Sequence, residues 1–313
     1  MTDASAIVIR PLREADLAEA DRVFRVAFGT QFGLPDPTQF RGDAELIRTR
    51  WKTDARPCFA AESGGRLVGS AIGMDWGSAF IVGPLSVEPG HANRGIGRRL
   101  MAAVMEFATA QRFPLTALYT LPNSAKHLRL YESYGFRAQR LTPVMAKAPA
   151  AGAASPRLLS AVPLASRERI VLACRAVADA NFAGLDLTRE IAALAVQNLG
   201  ETVLLERDGT IGGFALCHLG KGSEAGSGAL YVKFACVRPG AAADFTALVA
   251  ACETLAAQRG AQRIVAGTNM AREAAYRIML ERGYRAEIVG VAMLQSGQAG
   301  WNRPDVFVLD DWR

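Results

Sequence analysis

A chain that repeats itself folds as copies of one unit, and four short anchors recur here in the same order. Pro11-Leu12 returns as Pro163-Leu164, Gly65-Arg-Leu-Val-Gly69 as Gly209-Thr-Ile-Gly-Gly213, Val87-Glu-Pro-Gly90 as Val237-Arg-Pro-Gly240, and Gly135-Phe-Arg-Ala138 as Gly283-Tyr-Arg-Ala286. The offsets are 152, 144, 150 and 148 residues, a drift that loop insertions absorb. Between the copies, the stretch from Lys147 to Arg157 has no periodicity and is rich in Ala, Pro, Gly and Ser, as linkers are. The 313 residues suffice for two domains, each with its own core. We expect those domains at 1–147 and 158–313, joined by 148–157.

The pattern of each copy predicts an α+β domain whose mixed, mostly antiparallel central sheet is flanked by helices. In the first copy a short strand over Ala6 to Arg10 precedes a helix from about Glu14 to Phe28, where Leu17, Ala20, Phe24 and Phe28 recur at three- and four-residue spacing. Strands at Pro57 to Ala61 and Leu67 to Met74 flank the Ser63-Gly64-Gly65 turn, and Phe80 to Val87 is a third. A Gly-bearing loop leads into a helix with Leu100, Met101, Val104, Met105 and Ala108 on one face. A strand at Leu115 to Tyr119, a helix over about Ser124 to Ser133 and a strand after Phe136 complete the unit.

Composition removes several classes of function. With 36 basic and 30 acidic residues the net charge is +6, and no basic tract interleaved with aromatics exists, so a nucleic-acid partner is not expected. Cys58, Cys174, Cys217, Cys236 and Cys252 are odd in number, form no CxxC pair and mostly sit in apolar runs, which predicts buried reduced thiols. His91, His127 and His218 have no metal-ligand spacing, so no metal is expected. No basic segment followed by an apolar one opens the chain, and no apolar run approaches spanning length, which predicts a cytoplasmic protein without a membrane partner.

The chemistry concentrates in Val87-Glu-Pro-Gly-His-Ala-Asn-Arg-Gly-Ile-Gly-Arg-Arg-Leu100. A strand passing through such a loop into a helix aims free backbone N–H groups, and the positive end of the helix dipole, at one point. Gly95 and Gly97 permit close approach to the backbone. Arg94, Arg98 and Arg99 crowd this helix N-terminus, where cations are unfavourable unless an anion such as a phosphate sits among them.

Asn93-Arg-Gly-Ile-Gly-Arg98, after Val87-Glu-Pro89 and before an amphipathic helix, resembles the acetyl-CoA pyrophosphate loop of the GNAT (GCN5-related) N-acetyltransferases. A second motif of that family, an Asn before a helix ending in Leu-Tyr-x-x-x-Gly-Phe, is matched by Asn123 and Leu130-Tyr-Glu-Ser-Tyr-Gly-Phe136. The family's leading Gln or Arg falls at Ala92, with Arg94 or Arg98 placed to substitute. The resemblance implies two tandem GNAT-like domains and acetyl transfer from acetyl-CoA, as co-substrate, to a primary amine of a small molecule or peptide. It implies that Leu85, Ser86 and Val87 bond the pantetheine amides, that Asn93, Arg94, Gly95, Ile96, Gly97, Arg98 and Arg99 hold the pyrophosphate, and that Asn123 steadies the pantetheine arm. Tyr131 becomes the general acid for the leaving thiolate, and Tyr134 a packing residue. The general base is open: Asp75 is the nearest-looking acid, His91 a weaker candidate, and Glu88 is expected to face solvent.

The second copy departs from this pattern. Ala241-Ala-Ala-Asp-Phe245 replaces the arginine-bearing loop, Met279 falls where Tyr131 stands, and Tyr276 reads as core. We therefore expect a degenerate, structural or acceptor-shaping copy, in a monomer with a pseudo-twofold repeat or a homodimer. The tail from Ser296 to Arg313 has no counterpart in the first copy. It carries a strand at Asp305 to Leu309 that completes a sheet of either domain, with Trp301 and Trp312 buried. Acceptor-shaping loops are expected at Phe28 to Arg50 and Asp75 to Ala79, with Phe32, Phe40 and Trp51 as an aromatic lining and a polycationic acceptor disfavoured. Ala92 and the missing base keep a non-catalytic acyl-CoA sensor as the alternative.

Overall fold

The computed structural model describes residues 7–150, 152, 155–295 and 300–313. Ala6, at the expected start of the first strand, lies outside them, as do residues 151, 153 and 154 of the expected linker and residues 296–299 of the tail. The first half runs β1 (Ile7–Pro11), α1 (Leu17–Gln31), α2 (Leu46–Thr53), β2 (Cys58–Ser63), β3 (Arg66–Trp76), β4 (Ala79–Val87), α3 (Ile96–Gln111), β5 (Leu115–Thr120), α4 (Ala125–Glu132) and β6 (Phe136–Lys147). The second runs β7 (Arg157–Leu158), α5 (Leu164–Asn181), α6 (Thr188–Val196), β8 (Gly200–Arg207), β9 (Thr210–Gly220), β10 (Gly226–Val237), α7 (Ala242–Gln258), β11 (Arg263–Gly267), α8 (Glu273–Glu281) and β12 (Arg285–Gln295), with β13 (Val308–Leu309) in the tail. The short helices α2 and α6 were not anticipated; α2 carries Arg48, Arg50 and Lys52, which obscure its apolar face.

The fold is α+β, and the half-sheets join into one. The order is β1-β2-β3-β4-β5-β12-β6-β11-β10-β9-β8-β7, with β13 on β10. β12 lies between β5 and β6, and β6 lies between β12 and β11, so each half receives its last strand from the other. The exchanged strands pair from Arg285 opposite Ala146 to Gln295 opposite Phe136. Pulling the halves apart would strip partners from four strands, leaving exposed edges of the kind proteins avoid. The described pairs are antiparallel except β4 with β5 and β10 with β11.

A shared core reinforces the exchange. Met74, Trp76, Ile81 and Leu115 pack in one cluster with Ile170, Cys174, Leu187 and Phe234, and with Trp301, Val308 and Trp312 of the tail. All five cysteines are buried free thiols. Through this core runs a buried ionic chain. The Trp76 indole donates to Glu190 at 2.9 Å, and Lys233 bridges Glu190 and Glu224 at 2.8 Å each. Arg50 grips Glu224 with two bonds and donates a third to the Gly83 carbonyl at 2.9 Å. Burial opposes ionisation of Glu224, but Arg50 and Lys233 outweigh it and hold the carboxyl well below its usual range.

Removing one member of such a chain strands the others without water, whereas a surface pair is worth little. Glu224→Gln should cost about 3–5 kcal/mol in chemical denaturation, against less than about 0.5 kcal/mol for Glu281→Gln on the surface. Because ionisation is favoured in the folded state, the Glu224 contribution should be present at neutral pH and fade only as pH falls below the ordinary glutamate range.

Candidate functional site

The site begins where a parallel strand pair separates. β4 pairs with β5 from Ala79 opposite Leu115 to Val82 opposite Leu118, and no further. Beyond that point Leu85, Ser86 and Val87 keep only β3, opposite Ala71, Ser70 and Gly69, while Tyr119 and Thr120 of β5 keep only β12 on their other edge. One edge of Leu85 to Val87 therefore faces an open wedge. Gly69 is needed beside it: a Cβ there would lie 2.9 Å from the Ser86 carbonyl.

The wedge leads to the N-terminus of α3. Asn93 and Gly95 adopt left-handed backbone, with φ of 63° and 75°, and turn the loop sharply into the helix. The Arg99 amide bonds the Gly95 carbonyl at 3.1 Å, so the amides of Ile96, Gly97 and Arg98 form the first, unsatisfied turn. A Cβ on Gly97 would sit 3.7 Å from Leu85 and 3.8 Å from Leu130, ordinary contact, with any larger side chain pointing between β4 and α4.

Wedge and helix start open into one cavity of about 570 Å³. Its walls include Leu85, Ser86 and Val87, the loop residues Asn93, Gly95, Ile96, Gly97 and Arg98, and Tyr131 from α4. Tyr131 is buried against Phe136, and burial pushes its phenol up to about 12, so it stays protonated. Its hydroxyl has no hydrogen-bond partner among the described residues. Tyr134 instead donates to the Arg98 carbonyl at 2.6 Å, a packing role. Arg94 and Arg99 are exposed on the outer side of the helix start, and Asn123 is exposed in the turn before α4; none of the three lines the cavity.

The carboxylates suggested as bases lie elsewhere. Asp75, opposite Phe80 at the far end of the β3–β4 hairpin, pairs with Arg56 and Arg189. Glu88 does not face solvent: its side chain is 12% exposed and pairs with Arg22, Arg66 and His91. Among the described residues no Asp or Glu lines the cavity, which holds His91, His127, Lys126, Arg98, Arg129, Arg41 and Arg313 as its ionisable groups beside the tyrosines. Burial, and then Lys126, lower the His127 pKa, favouring the neutral ring.

Residues 54–138 match the family model described as the acetyltransferase (GNAT) domain. The first half carries a GNAT domain. A search of curated proteins returns no significant match. Solved structures share the fold along nearly the whole chain. A Pyrococcus horikoshii protein described as a candidate acetyltransferase aligns over 98% of this chain and 95% of its own, at TM-score 0.69 and 14% identity. A GCN5-related N-acetyltransferase from Sphaerobacter thermophilus covers 92% and 95% at TM-score 0.62 and 19% identity. One from Kribbella flavida covers 93% and 71% at TM-score 0.52 and 18% identity.

In the half that follows the GNAT domain, the corresponding wedge is filled. β10 leaves β11 after Val232 opposite Ala266, as β4 leaves β5, but Ala235 and Cys236 pair with Leu309 and Val308 of the tail. At the 150 offset these are the counterparts of Leu85 and Ser86. The tail is fastened by Arg272, which donates to the Val308 carbonyl and to Asp310 at 2.6 Å each, and by Trp301, which donates to Asp310 at 2.6 Å. Phe307 packs against Phe245 in the first turn of α7. The tail strand thus belongs to the second half. Beyond it, Trp312 and Arg313 reach the cavity of the GNAT domain.

The rest of that cavity was only partly anticipated. Phe32 and Phe40 line it, joined by Phe24 and Phe28 from the stripe of α1. Trp51 does not; it packs beneath and bonds the Leu12 carbonyl. The Asp75–Ala79 turn is no acceptor loop either, because it docks on the second half, where Ser78 bonds Gly184 and Asp186 bonds Trp76. Arg41 falls within the expected Phe28 to Arg50 segment without having been singled out there, and Tyr119, Trp312 and Arg313 had no local signal as cavity residues. Substitutions should separate the two loop glycines: Gly95→Ala should cost about 1–2 kcal/mol for its left-handed backbone, and Gly97→Ala less than about 1 kcal/mol, by chemical denaturation.

Proposed function

We propose that this protein transfers an acetyl group from acetyl-CoA to a primary amine of a small molecule or peptide, using one donor site in the first half. The observation that carries this is a single cavity in which an unpaired strand edge runs into an unsatisfied helix start, with a protonated tyrosine in the wall. Leu85, Ser86 and Val87 offer main-chain groups to the pantetheine amides. Asn93, Gly95, Ile96, Gly97 and Arg98 cradle the pyrophosphate, with Arg98 standing in for the side chain absent at Ala92. Arg94 and Arg99 supply the field around it. Asn123 is placed to meet the pantetheine arm only from the outer turn.

In the reaction the amine nitrogen attacks the thioester carbonyl, the C–N bond forms, and the C–S bond breaks. Main-chain N–H on β4 steadies the oxyanion. Tyr131 gives its proton to the departing thiolate, and the proton released by the amine leaves to water. With no carboxylate in the cavity, the amine must arrive neutral, so the base is water or a neutral His127. The second half, 158–313, is the degenerate copy; the tail fills its wedge, and it serves as scaffold and as a wall of the acceptor cavity.

Tyr131→Phe should lower kcat by about 10²–10⁴-fold with coenzyme A affinity within about twofold, read by thiol release and calorimetry. Unchanged turnover would remove Tyr131 from the reaction. Rates should rise with pH as the amine deprotonates and hold beyond pH 9, because the Tyr131 phenol, raised to about 12, keeps its proton there. Gly97→Leu should abolish donor binding. Coenzyme A binding without turnover of any amine would favour the sensor alternative.

A further inference from the structure

The cavity extends past the end of the wedge to a floor where the halves meet, lined there by Arg41, Trp312 and Arg313. Beneath it Arg50, Lys233 and Arg313 meet Glu190, Glu224 and Asp311, with Arg41 beside them. The pairing is specific. Glu190 and Glu224 are taken by Lys233 and Arg50, and Asp311 by Arg313 and the Tyr231 hydroxyl. His218, beside Glu224, is held neutral by burial, its pKa pushed down to about 4.

Arg41 is left over. Its guanidinium donates once, to the Glu224 carbonyl at 2.9 Å, and has no carboxylate within ion-pair distance among the described residues. Burial, and then Arg313, push its pKa down to about 10, the mark of a cation short of a counter-ion. Arg41 lines the cavity, and its backbone adopts a left-handed φ of 67°, uncommon outside glycine. Glu224, to which it is tied, also holds Arg50, and Arg50 bonds the Gly83 carbonyl, where β4 leaves β5. Arg41 therefore stands beyond Leu85, at the opposite end of the wedge from the α3 loop.

The same cavity has an aromatic wall. Phe40 stacks on Phe28 at 5.7 Å and on Phe32 at 5.5 Å, and Phe24 meets its edge at 5.6 Å. Gly29 permits this closeness, since a Cβ there would lie 2.3 Å from the Pro37 carbonyl. Phe32 nevertheless remains 40% exposed, a large apolar face open at the cavity rim.

An unpaired cation and an open aromatic face in one cavity describe a ligand. We propose that the acceptor is an amine carrying both a carboxylate and an aromatic ring, the carboxylate meeting Arg41 and the ring lying on Phe28, Phe32 and Phe40. An Arg–carboxylate pair in a partly desolvated site is among the stronger polar contacts, and ring stacking adds to it. With no acidic residue among the described cavity walls, polycationic amines are disfavoured by the same reasoning. The inference rests on the acetyltransferase reading, but its test can be separated from it.

Calorimetry on the whole protein saturated with coenzyme A would compare L-phenylalanine, L-tyrosine and L-tryptophan with 2-phenylethylamine, tyramine and tryptamine, and with spermidine. At least one amino acid should bind about tenfold or more tightly than its decarboxylated partner. In Arg41→Gln that preference should shrink to about threefold or less, with coenzyme A affinity unchanged, while Arg41→Lys retains part of it. Equal binding within all three pairs, or tighter binding of spermidine, would overturn the proposal, and the ligand comparison on the unaltered protein does so whether or not the variants fold. Carboxylate-dependent binding without acetylation would sink the transferase reading and leave this one standing. Acetylation of amines regardless of carboxylate would do the reverse.

Discussion

The separation of two parallel strands after Val82 and Leu118 is the constraint on which the rest of the molecule depends. A strand that loses its neighbour part-way must satisfy its amides and carbonyls some other way, since unpaired main-chain groups away from water are expensive. The repeat poses this problem twice, and the chain solves it differently in each half. In the second half the tail supplies a strand, so Ala235 and Cys236 are paired within the fold. In the first, Leu85 to Val87 keep an open edge that a ligand's amides can occupy. The same geometry thus yields a closed structural element in one copy and an open groove in the other.

The two solutions are coupled through the tail and the exchanged strands. Trp301, Val308 and Trp312 belong to the core between the halves. The Arg50 side chain, inside the first half, bonds Glu224 of the second, the Gly83 carbonyl of the wedge and the main chain of Arg313. Buried ionic chains of this kind add little net stability over an apolar filling, and they fix which groups meet. Here the chain sets the position of the wedge's apex relative to the tail and leaves Arg41 without a carboxylate partner among the described residues of that cluster.

Much of this was legible in the sequence. The repeat anchors, the loop from Asn93 to Arg99 and the Leu130-Tyr-Glu-Ser-Tyr-Gly-Phe136 motif are local patterns, and they marked the domain type, the helix start and Tyr131. What local patterns do not carry is which strand pairs with which across the repeat. β6 and β12 read the same whether they close their own half or the other, because the alternation of side chains along a strand does not depend on which strand lies at its edge. The destination of the tail was undetermined for the same reason, and with it Trp312 and Arg313. Asp75 and Trp51 were misplaced because sequence distance from the motif is no guide to which end of a β-hairpin, or which side of a helix, meets the cavity. Arg41 was not singled out within the Phe28 to Arg50 segment, since only the structure shows that it sits in the buried cluster without a carboxylate partner among the described residues.

The central claim is that only one of the two wedges is open to the donor. Calorimetric titration of coenzyme A into the full chain measures this directly through the stoichiometry. The account predicts one equivalent bound per chain, lost in Gly97→Leu. Two equivalents, or one equivalent that survives Gly97→Leu, would contradict it.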